Sequence, residues 1–237
     1  MTLDKQFMLD TFVIALSGIP VTLRLTFLSI LLATPFAFFM AIGKVKKIAG
    51  IHQVISAYVS FVRGTPIVLQ ILFLYSLLPS SLNLLFKGLH LDINVFSVNP
   101  IFYAYAVFTL NSMATVSEVF RSALLTVNKG QLEAAQAIGL SSVQAYWRII
   151  IPQAFVVALP NICNVTINLV KGTSLAFLMT VKEVTALAKL EASYGYNYIE
   201  AYIDIFIIYL ILCGIIQVLF RVVEKYVGVY KKGVVIS

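Results

Sequence analysis

The sequence predicts an all-α membrane protein with five transmembrane helices, and three observations carry that prediction. Of its 237 residues, 60% are hydrophobic and only 11% are charged, against about 25% charged in a soluble domain. The mean hydropathy is +0.96. Five apolar runs each approach or exceed the roughly 20 residues needed to cross a bilayer, and one polar, helix-forming stretch, Asn128 to Pro152, separates the third from the fourth. No composition shift or linker divides the chain, so residues 1–237 read as a single transmembrane domain, with 128–152 a loop inside it.

The first run lies within residues 11 to 43. Arg24 interrupts it, placed near the outer end where its stem can snorkel to the head groups, and an uncharged stretch follows from Leu25 to Gly43. Pro20 and Pro35 are candidate kinks; alternatively, the early part of the run lies along the interface. The second run, 51 to 78, contains FVRGTPIVLQ, where Gly64 and Pro66 are expected to break the backbone ladder beside Arg63. Residues 79 to 98, rich in turn-forming and polar types, read as a loop with room for a short interfacial helix. The third run, 99 to 125, carries Asn111 and Glu118 before Arg121. The fourth, 150 to 173, is polar for its depth, with Asn161, Asn164, Thr166 and Asn168 ahead of Lys171. Residues 182 to 198 are amphipathic and then rich in Gly and Tyr, which predicts an interfacial helix and a turn. The fifth run covers 199 to 222 and ends in a basic tail.

Loop charges set the expected orientation. With the 128–152 insert in the cytoplasm, the N-terminus lies outside and the C-terminus inside. Ten basic residues then face the cytoplasm (Lys44, Lys46, Lys47, Arg121, Lys129, Arg148, Arg221, Lys225, Lys231 and Lys232), against four outside (Lys5, Lys87, Lys182 and Lys189), as the positive-inside rule requires. The same asymmetry accounts for the net charge of +7 without invoking nucleic acid, since no basic stretch is interleaved with exposed aromatics. Cys163 and Cys213 both sit in apolar runs and read as small core residues rather than a disulfide or zinc framework. His52 and His90 lie far apart, with no metal-ligand cluster and no nucleophile motif, so neither a metal site nor an enzyme is expected. Asp4, Lys5 and Asp10 open the chain in place of a basic n-region, and the first hydrophobic segment is expected to stay in the mature protein.

The insert reads NKGQLEAAQAIGLSSVQAYWRIIIP. Glu133, Ala134 and Ala135 favour helix, Gly139 breaks it, and a second amphipathic turn leads to Pro152: a helix–Gly–helix elbow. This segment resembles the EAA loop by which permease subunits of ABC importers dock onto their ATPase. The family's pattern ends in Leu-Pro where this chain has Ile151-Pro152. The resemblance to the polar-amino-acid branch extends over nearly the whole chain. It includes FVRGTPIVLQILFLY at 61–75, SEVFRSALLTVNKGQLEAAQAIGL at 117–140 and PQAFVVALPNICNVTINLVKGTSL at 152–175. Where the family more often has Asp, this chain has Gly172, so any role for an acid there is absent.

The resemblance implies a type I ABC importer permease fold, located in the plasma or inner membrane. It also implies pairing with a second permease subunit, homo- or heterodimeric, an ATP-binding partner that holds ATP and Mg, and an extracytoplasmic substrate-binding protein. The chain itself contains no G-x-x-x-x-G-K-[ST] phosphate loop; KGTS at 171–174 lacks the preceding glycine. No cofactor is therefore expected on this subunit, and the energy must come from another polypeptide. Glu133, Ala134, Ala135, Gln136, Gly139 and Leu140 are the expected ATPase-coupling residues. Glu133 would pair with a basic residue of the partner, Gly139 would permit the sharp bend, and Gln136 and Leu140 would fill a pocket.

Ionisable and amide groups at membrane depth are costly and so become candidates for function. Arg63 offers a bidentate fork for a substrate carboxylate, or braces helices by bonding backbone carbonyls or Glu118. Gln70, Asn111, Asn161, Asn164 and Asn168 offer uncharged donors and acceptors, or join helices through hydrogen bonds. Asn161, Asn164 and Asn168 stand at i, i+3, i+7 spacing, hence on one face. The segment KLEASYGYNYIEAY resembles members of the family that carry cystine; glutamine, glutamate, arginine and histidine are further possible substrates. An ion-coupled secondary amino-acid transporter is the alternative, but it needs midplane carboxylates and often inverted repeats. Here Glu200 and Asp204 sit at the start of the last run, and no repeat is evident.

Overall fold

The computed structural model describes residues 3–234, with side-chain surroundings for residues 3–227, and every regular element among them is helical. The first expected span is two helices, α1 (Lys5–Leu16) and α2 (Ile19–Val45). Asp4 caps α1, its carboxylate accepting from the Phe7 N–H at 3.0 Å. The junction needs glycine at position 18, because a Cβ there would run into the Val184 nitrogen at the start of a later helix. Pro20 falls in the first turn of α2, where its missing N–H costs nothing. Pro35 lies inside that helix.

Ser29, Ala33, Ala37 and Ala41, four residues apart and buried, make a narrow stripe along α2. Small side chains let backbones approach closely, and α2 packs most extensively on α5 (Pro100–Thr126), the third expected span. The fourth and fifth spans coincide with α8 (Ile151–Thr173) and α10 (Tyr198–Val234).

The second expected run breaks at Gly64 and Pro66 as its residues imply, while its place as a single span is corrected. It is not one helix over 51–78 but two: α3 (Ile51–Gly64) and α4 (Ile67–Gly88). Thr65, between them, is extended at φ −115° and ψ 143°, the conformation that a following proline imposes, and Pro66 lacks the N–H that would continue the ladder. The loop expected over 79–98 is corrected as well. Pro79 is buried inside α4, which runs on through apolar Leu82, Leu84, Leu85 and Phe86 to Gly88. The true connection is short and holds one 3-10 turn, Val95–Ser97. The helix expected after residue 182 is α9 (Val184–Gly195), ended by Tyr196 in the left-handed region at φ 60°. It buries Val184, Ala188 and Ala192 against α1 and α10.

Four helical stretches among the described residues are long and apolar enough to span: Lys5–Val45, Ile67–Gly88, Ser142–Thr173 and Tyr198–Val227. Helix α5, at 27 residues, has the length but carries Glu118 and Arg121 in its second half. Large apolar side chains such as Phe36, Phe39, Phe73, Phe206 and Leu210 stand exposed on these helices, as they do when hydrocarbon rather than water is the solvent.

Candidate functional site

The 128–152 segment forms two short helices around a tight corner. Extended Val127 and Asn128 end α5 and begin α6 (Lys129–Ala137), and the Asn128 side chain caps α6 by accepting from the Gly130 N–H at 2.9 Å. At the other end the Gly139 N–H reaches the Gln136 carbonyl at 2.9 Å and the Leu140 N–H reaches the Ala135 carbonyl at 3.1 Å. These are the two bonds of a Schellman motif, with Gly139 in the left-handed region at φ 86°. No atom lies within 4 Å of where a Gly139 Cβ would stand, so the glycine is required by its backbone angle and not by crowding.

Ser141 and Gln144 then form a capping box, with the Gln144 N–H donating to Ser141 Oγ at 3.3 Å and the Ser141 N–H to Gln144 Oε1 at 2.9 Å. It opens α7 (Ser142–Ala145), which passes through one π-helical turn, Tyr146–Ile150, straight into α8. Gln136 Nε2 donates to Ser142 Oγ at 3.0 Å and ties the two arms of the elbow together.

The elbow sorts its residues by face. Ala135 is buried and Leu132 half-buried, while Glu133, Ala134, Gln136 and Gly139 are exposed and Leu140 is intermediate. Ile138 at 78% and Val143 at 66% exposure add apolar surface to the outward side. Sequence reasoning passed over both, although an isoleucine beside the breaking glycine of an otherwise polar helix was the available signal. Behind the elbow, Glu118 joins Lys44 Nζ at 2.5 Å and Arg121 at 2.8 Å, and Lys46 lies 5.3 Å from the centre of the Tyr146 ring. The ends of α2 and α5 nearest the elbow, and the π turn, are thus tied by charge. Glu118 is occupied by these two cations, so it is not braced by Arg63.

The candidates from the apolar runs fall in three places. Arg63, in the last turn of α3, is exposed. Asn161, Asn164 and Asn168 are all exposed along one face of α8, with exposed Lys171 following. Gln70 is buried, and its Nε2 donates to the Val62 carbonyl at 2.7 Å, the Thr65 carbonyl at 3.0 Å and Thr65 Oγ1 at 2.9 Å. Carbonyls that α3 would leave open at its broken end are therefore closed by one side chain. Gln70 Oε1 in turn accepts from Asn111 Nδ2 at 2.9 Å. Asn111 and Asn168 line a common cavity of about 110 Å³ with Ser112 and Thr115; Arg63, Asn161 and Asn164 are not part of its wall. Ser112 and Thr115 were missed from the sequence, where the polar cluster around Asn111 in an apolar run was the signal.

Glu183, fully buried, caps α9 with both oxygens, accepting from the Thr185 N–H and the Ala186 N–H at 2.8 Å and from the Tyr209 hydroxyl at 2.9 Å. Burial pushes its carboxyl up to about 7 despite these bonds, which pull the other way.

Among the described residues, an apolar helical bundle from which a polar elbow projects has the form of a multi-pass membrane subunit. The chain belongs to the family of binding-protein-dependent transport system inner membrane components, which matches residues 33–229. It is 34% identical over 227 residues to the L-cystine transport system permease protein TcyL of Bacillus subtilis (strain 168), covering 94% of this chain and 92% of that one. It is 37% identical over 224 residues to the octopine transport system permease protein OccM of Rhizobium radiobacter, covering 94% and 90%. Among solved structures, a chain of an amino acid ABC transporter crystallised with histidines superposes with a TM-score of 0.79 at 29% identity, covering 95% of this chain and all of that one. The inward-facing MetNI methionine ABC transporter shares the fold, with a TM-score of 0.70 at 17% identity. The chain is a multi-pass inner-membrane permease subunit of an amino-acid ABC importer with the type I fold.

Proposed function

We propose that this permease forms the pathway for a polar amino acid as a two-fold dimer, homo- or heteromeric, with its N-terminus outside and its C-terminus in the cytoplasm. ATP, with Mg, is bound and hydrolysed by a separate subunit docked on the elbow, and an extracytoplasmic binding protein delivers the solute. The observation that carries the reading is the elbow itself. Its corner is fixed by a Schellman motif and a capping box, and its outward face presents Glu133, Ala134, Gln136 and Ile138. A preorganised knob of this kind transmits a push because it has no softer way to bend.

In this reading Glu133 pairs with a cation of the ATPase, and Ala135 holds the elbow to the body. Arg63 meets the substrate carboxylate. Asn111, Asn161, Asn164 and Asn168 line the pathway, and Gln70 positions Asn111. The exposed asparagine face of α8 supports the dimer, because hydrogen-bonding groups at membrane depth need a partner or an aqueous passage. Cystine is one candidate substrate, by likeness to the permeases TcyL and TcyB, both named for L-cystine. Glutamine, glutamate, arginine and histidine follow.

The test is Glu133→Arg. The variant is expected to purify as a monodisperse membrane protein that no longer captures the ATPase. A variant that keeps the ATPase and full substrate-stimulated hydrolysis overturns the docking assignment.

A further inference from the structure

The small cavity between the start of α4, α5 and α8 joins two of the asparagines already placed on the pathway to hydroxyl groups that the importer reading does not use. Asn111, Ser112, Thr115 and Asn168 line it together with apolar Ile67 and Leu169, and no charged side chain is in its wall. Ser112 is 1% exposed, and its hydroxyl has no hydrogen-bond partner among the described residues. Such a group is costly to leave unmet. The Thr115 hydroxyl, by contrast, donates back to the Asn111 and Ser112 carbonyls at 3.3 and 3.1 Å.

The network fixes which atom Asn111 offers. Gln70 gives its nitrogen to two carbonyls, so its oxygen must be the atom facing Asn111. Asn111 answers with its nitrogen and keeps its own oxygen as a free acceptor. The cavity therefore combines one fixed acceptor, one unmet hydroxyl that can donate or accept, and the exposed amide of Asn168 at α8. At about 110 Å³ it has room for several waters, or for the polar end of one side chain.

Resting on the importer reading, we propose that this cavity is a side-chain subsite of the translocation pathway for an uncharged group that both donates and accepts, of the carboxamide class. The group's N–H donates to Asn111 Oδ1, and its carbonyl accepts a hydrogen bond from the Ser112 hydroxyl. A carboxylate or guanidinium would enter without a counter-charge, which is a heavy desolvation cost, and a disulfide brings no donor. Among the candidate substrates, glutamine fits this chemistry.

The experiment uses the permease assembled with its ATPase and binding protein in proteoliposomes, with uptake of L-glutamine, L-cystine, L-arginine and L-glutamate measured side by side. Ser112→Ala is expected to raise the KM for L-glutamine about three- to tenfold, the worth of one buried hydrogen bond, with copurification of the ATPase unchanged. Separately, Ser112→Cys in a Cys163→Ala/Cys213→Ala background is treated with methyl methanethiosulfonate. L-Glutamine is expected to slow the labelling and L-arginine to leave it unaffected. Unchanged KM in Ser112→Ala, labelling indifferent to L-glutamine, or preferred import of L-arginine overturns the subsite and leaves a cavity that holds water only. If Ser112→Ala fails to assemble, the labelling result decides. If the wild-type complex imports none of the four and no L-histidine either, the importer reading itself is what has failed.

Discussion

Replacing Gln70 by leucine asks whether one amide holds the broken helix together. The residue is 9% exposed, and leucine fills a similar volume, so the expected loss is polar rather than steric. Thr65 Oγ1 keeps its own bond to the Phe61 carbonyl at 2.9 Å. The Val62 carbonyl, the Thr65 carbonyl and Asn111 Nδ2 are left unpaired. An unpaired buried group costs about 1–3 kcal/mol. Val62 is buried and bears that in full, whereas Thr65 and Asn111 are only half-buried and lose less, so the sum is about 2–4 kcal/mol. For a chain of this length that is a fall in Tm of roughly 5–15 °C, read by thermal unfolding in detergent. Gln70→Glu keeps acceptors but has no donor, and it is expected to fall at least as far. A leucine variant that melts within about 2 °C of the parent refutes the staple. If that variant also loses uptake, Gln70 is a solute contact instead.

Gly139→Ala places a Cβ at φ 86° with no neighbour to strike, so its whole cost is the left-handed backbone, about 1–2 kcal/mol. ATPase capture is expected to weaken by up to about 5- to 30-fold, with Gly139→Asn closer to the parent because asparagine tolerates that region; equal damage from Ala and Asn contradicts the argument. Glu118→Ala strands Lys44, whose side chain is 13% exposed, beside Arg121, and is expected to cost about 1–3 kcal/mol in unfolding, with Glu118→Gln milder. An alanine variant as stable as the parent removes the charge cluster from the account. Glu183, held up to about 7 by burial, keeps a proton in the folded chain that the unfolded chain releases above its ordinary value near 4.5. Its contribution is complete below that lower value and is lost as pH rises through about 7. Unfolding temperatures at acid and mildly alkaline pH are expected to differ in the parent and to converge in Glu183→Gln; an unchanged slope in the variant refutes the assignment.

What could be seen in the sequence was local. The Gly139 corner and the break at Gly64 and Pro66 are each dictated within a few residues by backbone rules, and they stand where those rules place them. The misreading at 79–98 came from treating Pro79 and its serines as turn formers. Ser76 and Ser80 instead return their hydroxyls to the Leu72 and Ser76 carbonyls at 2.9 and 3.2 Å, and the helix continues. Pairings that span long separations left no mark in the sequence. Lys44 meets Glu118 across 74 residues, Gln70 meets Asn111 across 41, and Glu183 meets Tyr209 across 26. Each depends on which helices become neighbours, and periodicity along one helix does not specify that.

The two ends of the elbow are attached differently. Towards α5 the connection is a pair of extended residues, Val127 and Asn128, outside either helix. Towards α8 there is no loop, only unbroken helical backbone through the wide turn at Tyr146–Ile150. Under the proposed docking, a load applied to the elbow is therefore expected to reach α8, with its row of amides, more directly than α5, which is packed along α2.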